Sequence, residues 1–269
     1  MKSTIQTLAI LLAGSFLTVA AEQTKPLKVL LLTGGCCHDY ATQKNILKKG
    51  IEARANVIVD QIHVDDTTNQ PAFPIYGNPD YAVGYDVVIH DECAASISDE
   101  TVVKAILAPH QKGLPGVNLH CAMHSYRIGD FRKPAVQTGT PTTMWFEYLG
   151  LQSTGHGSQT PIEIKHSDPK HPITMGLADW TTGDEELYNN IHIYGSARVL
   201  ARGTQGTDTN VVAWTNDYQG TKVFSTTIGH NNSTVEDPRY LELVTRGLLW
   251  VTGKIDEQGK IAPGYGPKP

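Results

Sequence analysis

The clearest pattern along the chain is a continuous apolar run, Leu27 to Thr33, that ends in Gly34-Gly35. A run without polar alternation is how a strand reads when both its faces are buried in a parallel sheet. Asp39 to Arg54 follows with helical spacing, then strand-like runs at Val57 to Val64 and Tyr85 to His90, with a long aperiodic loop between them. Ser98 to Ala108 predicts a helix with Ser98 as N-cap, and Gly116 to His120 predicts the next strand. Strand, helix and strand in alternation predict an α/β fold: a doubly wound, mostly parallel sheet flanked by helices.

The second half is strand-rich. Ile162 to His166, Ala197 to Ala201, Val211 to Thr215 and Lys222 to Thr227 are short runs separated by Gly, Asp, Asn and Thr. The last two predict a hairpin with a five-residue turn at Asn216 to Gly220. Asp237 to Val251 predicts a closing amphipathic helix, with Asp237 as N-cap, Pro238 at the first helical position and Gly253 past its end.

At the start of the chain, Lys2, the apolar stretch Ile5 to Val19 and the small residues Val19-Ala20-Ala21 read as a secretory signal over residues 1–21. The stretch is shorter than the roughly 18 to 20 residues of a membrane-spanning helix. The expectation is a secreted or periplasmic protein, one domain over 22–253 and a flexible tail over 254–269, with no stable membrane insertion. Export would permit disulfides among the four cysteines, Cys36 with Cys37 and Cys93 with Cys121, although buried thiols suit the same positions.

Composition narrows the function classes. Against 22 Lys plus Arg stand 27 Asp plus Glu, a net charge of −5, which leaves no basic stripe for nucleic acid. Eleven histidines are a generous supply of bases and metal ligands. Ligands of open parallel sheets bind beyond the carboxyl ends of the strands. That rule selects His38, His120 and His230, with His90 and His124 in reserve. His63, His110, His166 and His171 read as surface or structural, and His192 has no assigned place. Asn118 to Ala122 reads as a sharp strand-to-helix elbow with His120 at its apex, which suits a base or a metal ligand. Gly155-His156-Gly157 presents an uncrowded imidazole in a tight turn, and Asp184-Glu185-Glu186 sets carboxylates beside Tyr188.

These segments together resemble the trehalose-utilisation (ThuA-like) family, whose fold is similar to class I glutamine amidotransferases. The resemblance runs from Leu27 to Gly253. It rests on Gly34-Gly35 with His38, His120-x-Ala122, Gly155-His156-Gly157 and His171-Pro172-Ile173-Thr174 followed by Gly176-Leu177. Glu185-Glu186-Leu187-Tyr188-Asn189, Ala213-Trp214, Gly229-His230 and Arg246-Gly247-Leu248-Leu249-Trp250 continue it. It implies that His120 stands where an amidotransferase has its reactive cysteine, so glutamine hydrolysis is not expected. Cys36-Cys37 and Glu185, at the first position of an Asp-Glu-Leu-Tyr pattern, depart from the family.

The resemblance implies sugar chemistry, including oxidised (keto) sugars, with a small-molecule carbohydrate as partner. Isomerisation or β-elimination of a keto-sugar needs a base near neutrality, and an unperturbed histidine titrates at about 6.5. The expected catalytic residues are His38, His120, His156 and Glu186, and Arg127, Tyr188 and His230 are expected to bind substrate. A divalent metal held among His38, His120, His156 and His230 is the cofactor candidate, and the metal or Arg127 would act as electrophile. Two alternatives stand beside this reading: a non-catalytic sugar-binding protein and a thiol hydrolase using Cys121.

Overall fold

A computed structural model describes residues 24–268; the expected signal segment lies outside them. The chain forms β1 (Leu27–Gly35), α1 (Tyr40–Glu52), β2 (Val57–Val64), β3 (Val87–Cys93), α2 (Glu100–Gln111) and β4 (Gly116–Leu119). A tight 3-10 turn over His120–His124 and α3 (Met144–Leu149) lead to β5 (Leu151–His166) and β6 (Trp180–Ile193). Then come β7 (Ala197–Gln205), β8 (Asp208–Tyr218), β9 (Thr221–Thr226), α4 (Asn232–Val235) and α5 (Pro238–Val251).

All nine strands share one sheet in the order β2-β1-β3-β4-β9-β8-β7-β5-β6. β2, β1, β3, β4 and β9 run parallel, and the sheet continues antiparallel through β8, β7, β5 and β6. Because successive strand side chains alternate faces, Val29 and Leu31 pack with Leu47, Ile51, Val244 and Leu248 of α1 and α5. Leu30 and Leu32 pack on the opposite face with Val103, Ile106, Trp145 and Tyr148 of α2 and α3. This two-sided burial explains the unbroken apolar run in β1. The expected doubly wound α/β architecture with a strand-rich second half is the one observed.

Several local expectations need correction. Asp99, not Ser98, caps α2, its carboxylate accepting the Thr101 and Val102 amides at 2.8 and 3.1 Å. A charged acceptor at a helix N-terminus also meets the positive end of the helix dipole, which a hydroxyl cannot match. The β8–β9 turn is two residues, Gln219-Gly220, with Tyr218 paired to Thr221. Both turn residues have positive φ, 55° and 87°, the handedness that matches the twist of a tight hairpin.

Gly155-His156-Gly157 is not a tight turn but part of β5, and Asp184-Glu185-Glu186, expected to set carboxylates beside Tyr188, lies within β6. Register shifts between Gln152 and Gln159 break the β5–β6 ladder. Bulges of this kind re-aim side chains at sheet edges.

The C-terminal segment, expected to be a free tail, makes backbone contacts. Asn56 donates to the carbonyls of Tyr265 and Gly264 at 3.1 and 2.9 Å, and Ile255 bridges Ile261. Among the described residues no helix is long and apolar enough to cross a membrane.

Candidate active site

The site lies at the carboxyl edge of the parallel strands, and glycine makes room for it. A Cβ on Gly35 would sit 2.2 Å from the Cys93 carbonyl oxygen, and one on Gly34 2.5 Å from that of Val64. Only glycine lets β1 end so close to its neighbours and turn toward His38. At the end of β4, His120 adopts φ of 40°, a left-handed conformation that costs a non-glycine residue about 1–3 kcal/mol and is typical of functional positions. The elbow is held from behind by Trp145, whose indole N–H donates to the Ala122 carbonyl at 2.8 Å.

Three imidazoles converge there. The His38 ring centroid lies 4.7 Å from those of both His120 and His230, and His120 lies 5.5 Å from His230. One nitrogen of each falls within 4.8 Å of the other two. His120 Nδ1 is 2.6 Å from the Thr227 carbonyl, so it carries the proton and leaves the Nε2 lone pair facing the site. Tyr188 Oη stands 3.3 Å from that Nε2.

Glu186 joins the group from β6. Its Oε2 is 3.5 Å from Nε2 of both His120 and His156, and its Oε1 is 3.4 Å from His230 Nδ1, without an aligned hydrogen bond to the last. Burial alone would raise the Glu186 carboxyl, but its contacts and charge interactions with His120 and His230 outweigh it and hold the group well below the ordinary carboxylate range. The same contact with Glu186, set against burial, raises His230.

Glu185, buried next to Glu186, does different work. Its carboxylate accepts the backbone amides of Gly229, His230 and Asn231 at 3.3, 3.0 and 3.2 Å, fixing the loop that carries His230. Gln43 of α1 adds a bond to the His230 carbonyl at 2.8 Å. Sequence reasoning named Glu185 without this anchoring role and missed Gln43. For Gln43 a signal existed: it is the polar member of a buried stripe of α1 otherwise made of Tyr40, Leu47, Gly50 and Ile51.

The other expected residues sort as follows. His156 lies on the open side of Glu186, and His124, held in reserve, belongs here: its ring stacks on Tyr188 at 4.2 Å and 4°. Its Nε2 meets Ser153 Oγ at 2.9 Å. His90 does not belong. It faces the core, with Nδ1 2.8 Å from Glu92 Oε1 and Nε2 3.1 Å from His110 Nε2. His171 is buried and accepts the Ile173 amide, a structural role. The cysteines form two disulfides, Cys36–Cys37 and Cys93–Cys121, with Cys36 Sγ 3.5 Å from Cys93 Sγ. Cys121 therefore has no free thiol, which removes the thiol-hydrolase alternative.

The family described as ThuA, trehalose utilisation, matches residues 28–251. The chain belongs to the ThuA family. Among solved structures, a ThuA-like protein from Parabacteroides merdae superposes with a TM-score of 0.63 at 18% identity, covering 91% of this chain and 98% of that one. A ThuA-like protein from Bacteroides uniformis gives 0.59 at 15%, with 86% and 94% covered. The amidotransferase-like side of the fold is represented by a GMP synthase protein from Thermoplasma acidophilum, at 0.50 and 12%, with 85% and 94% covered. No curated protein matches the sequence. In this ThuA-family chain the elbow holds His120 beside a disulfide-bonded Cys121.

Four site and core histidines are held neutral, among them His171, which burial and then Arg198 bring down to about 4. Burial, then the charges of His120 and His230, brings His38 down to about 2; burial, then His90, brings His110 down to about 3. Burial, then Arg127, puts His124 well below its usual value. The unfolded chain takes up protons near 6.5 that these folded rings refuse, so stability falls as pH drops below about 6.5. Each such ring contributes a slope of about 1.4 kcal/mol per pH unit, opposed by His230, which Glu186 raises, and by the Asp91 carboxyl, which burial and then Glu92 raise. Urea unfolding should show a clearly lower midpoint at pH 5.5 than at pH 7.5; equal midpoints would contradict the buried neutral state.

Proposed function

We propose that this ThuA-family protein is a carbohydrate-processing enzyme that moves a proton next to the carbonyl of a keto-sugar, leading to isomerisation or β-elimination. The observation that carries the reading is one ionised carboxylate, Glu186, shared by His120, His156 and His230, with the Tyr188 hydroxyl at the same point.

The donor set fits a divalent cation. His38, His120 and His230 bring three nitrogens together, His120 is locked by its Nδ1–H on a backbone carbonyl as metal-binding imidazoles commonly are, and the buried His38 Nδ1 has no partner among the described residues. A cation on these residues would supply Lewis acidity toward the sugar carbonyl.

The protein's own groups do the rest. His156 is the most open of the imidazoles, and its Nδ1 hydrogen-bonds the Gly157 carbonyl at 3.0 Å, which leaves Nε2 to accept the proton. Glu186 stabilises the imidazolium so formed. The Tyr188 phenol, raised well above its usual value by burial and then by Glu186, stays protonated and can donate to a substrate oxygen.

Elemental analysis of the purified protein should find close to one divalent ion per chain, and a chelator should lower its unfolding temperature, because a ligand bound only to the folded state stabilises it. A metal-free protein that converts keto-sugars at full rate would remove the cation from the proposal. Absence of turnover across a keto-sugar panel, with sugar binding retained, would favour a binding protein instead.

A further inference from the structure

Arg127 follows the histidine-bearing elbow in the chain by three residues and has no anion to pair with among the described residues. Its Nε and Nη1 are buried without a hydrogen-bond partner among those residues. No carboxylate among those residues lies within ion-pair distance of it. Leaving buried guanidinium donors unsatisfied costs a protein free energy unless another group completes them.

The side chain is nevertheless held in place. Its guanidinium stacks on Phe131 at 4.0 Å, and Arg132 lies 5.0 Å from the same ring. Phe131 is fixed in turn by Gln152, buried in β5, whose side-chain amide donates to the Phe131 carbonyl at 2.8 Å. The side-chain carbonyl of Gln152 accepts the Ala135 amide at 2.8 Å. Arg127 lies three residues past His124, whose ring stacks on Tyr188 at 4.2 Å, and the Tyr188 hydroxyl reaches His120 Nε2 at 3.3 Å, so the elbow that carries Arg127 is continuous with the site.

A fixed, half-buried planar fork with free donors, a second guanidinium on the same aromatic ring and no counter-ion among the described residues is the arrangement that recognises an oxyanion. We infer that Arg127 is the specificity determinant for an acidic group, carboxylate or phosphate, borne by the carbohydrate, so that the substrate is a sugar acid or sugar phosphate rather than a neutral sugar. This deepens the carbohydrate reading of the same site and rests on it.

The test is isothermal titration of the full purified protein with D-glucuronate, D-glucose 6-phosphate and D-glucose, in wild type, Arg127→Met and Arg127→Lys. At least one of the two acids should bind tenfold or more tightly than glucose, and the better of them tells carboxylate from phosphate. Arg127→Met should bring that ratio to about one, and Arg127→Lys, which keeps the charge but loses the fork, should retain part of it. Acids that bind no better than glucose, undetectable binding of all three included, overturn the inference, as does a preference that survives in Arg127→Met. Wild-type-like circular dichroism of either variant shows that a lost preference is not lost folding. The parent reading fails separately: full turnover in His156→Ala would remove the proton-transfer scheme while an acid preference that depends on Arg127 stood.

Discussion

His120→Ala is expected to lower turnover of a keto-sugar by at least about 10²-fold and to lower metal content with it. The ring is almost fully buried, its tautomer is set by the Thr227 carbonyl, and its Nε2 is the point at which Glu186 and Tyr188 meet. His156→Ala offers the contrast. It should lose activity by about 10² to 10⁴, the usual worth of a general base, yet leave the cation on His38, His120 and His230. Steady-state kinetics and elemental analysis on the two variants separate these roles. Near-normal turnover in His120→Ala would sink the proposed site.

Removing Glu185 should be nearly as damaging, by a different route. Glu185→Ala leaves the amides of Gly229, His230 and Asn231 without their acceptor, and each buried donor left unsatisfied costs about 1–3 kcal/mol. Allowing for water reaching the half-buried members, a loss of at least about 2 kcal/mol in unfolding free energy is expected, read by denaturant titration. The loop would also release His230, so metal affinity should fall although Glu185 touches none of the three converging nitrogens. A variant with unchanged unfolding midpoint and metal content would show that the three hydrogen bonds do not position the loop.

The parallel half of the sheet was legible because its physics is simple. Strands buried on both faces read as unbroken apolar runs, and the rule that ligands gather beyond their carboxyl ends pointed to His38, His120 and His230, which do converge. β6 was not legible. Its centre, Asp184-Glu185-Glu186, is three consecutive acids without strand alternation, and the amides that satisfy Glu185 come from a loop more than forty residues downstream in sequence. His156 was singled out for the wrong local structure: the flanking glycines serve a bulged strand, not a tight turn. His90 was expected at a strand end, but β3 runs on to Cys93, which leaves His90 at mid-strand with its ring in the core against Glu92 and His110.

The placement of β9 beside β4 also sets when a working site can exist. β9 follows every other described strand in the chain, yet it occupies the middle of the sheet, between β4 and β8. Until it emerges from the ribosome, the first four strands present an open edge at β4, and His120 lacks both the Thr227 carbonyl and His230. Such a late, long-range closure is slow to form and leaves the nascent chain exposed to edge-to-edge aggregation. A protein truncated before β9 would lack the converged histidines of the proposed site and expose the β4 edge, so on the proposed reading activity would report completion of this sheet.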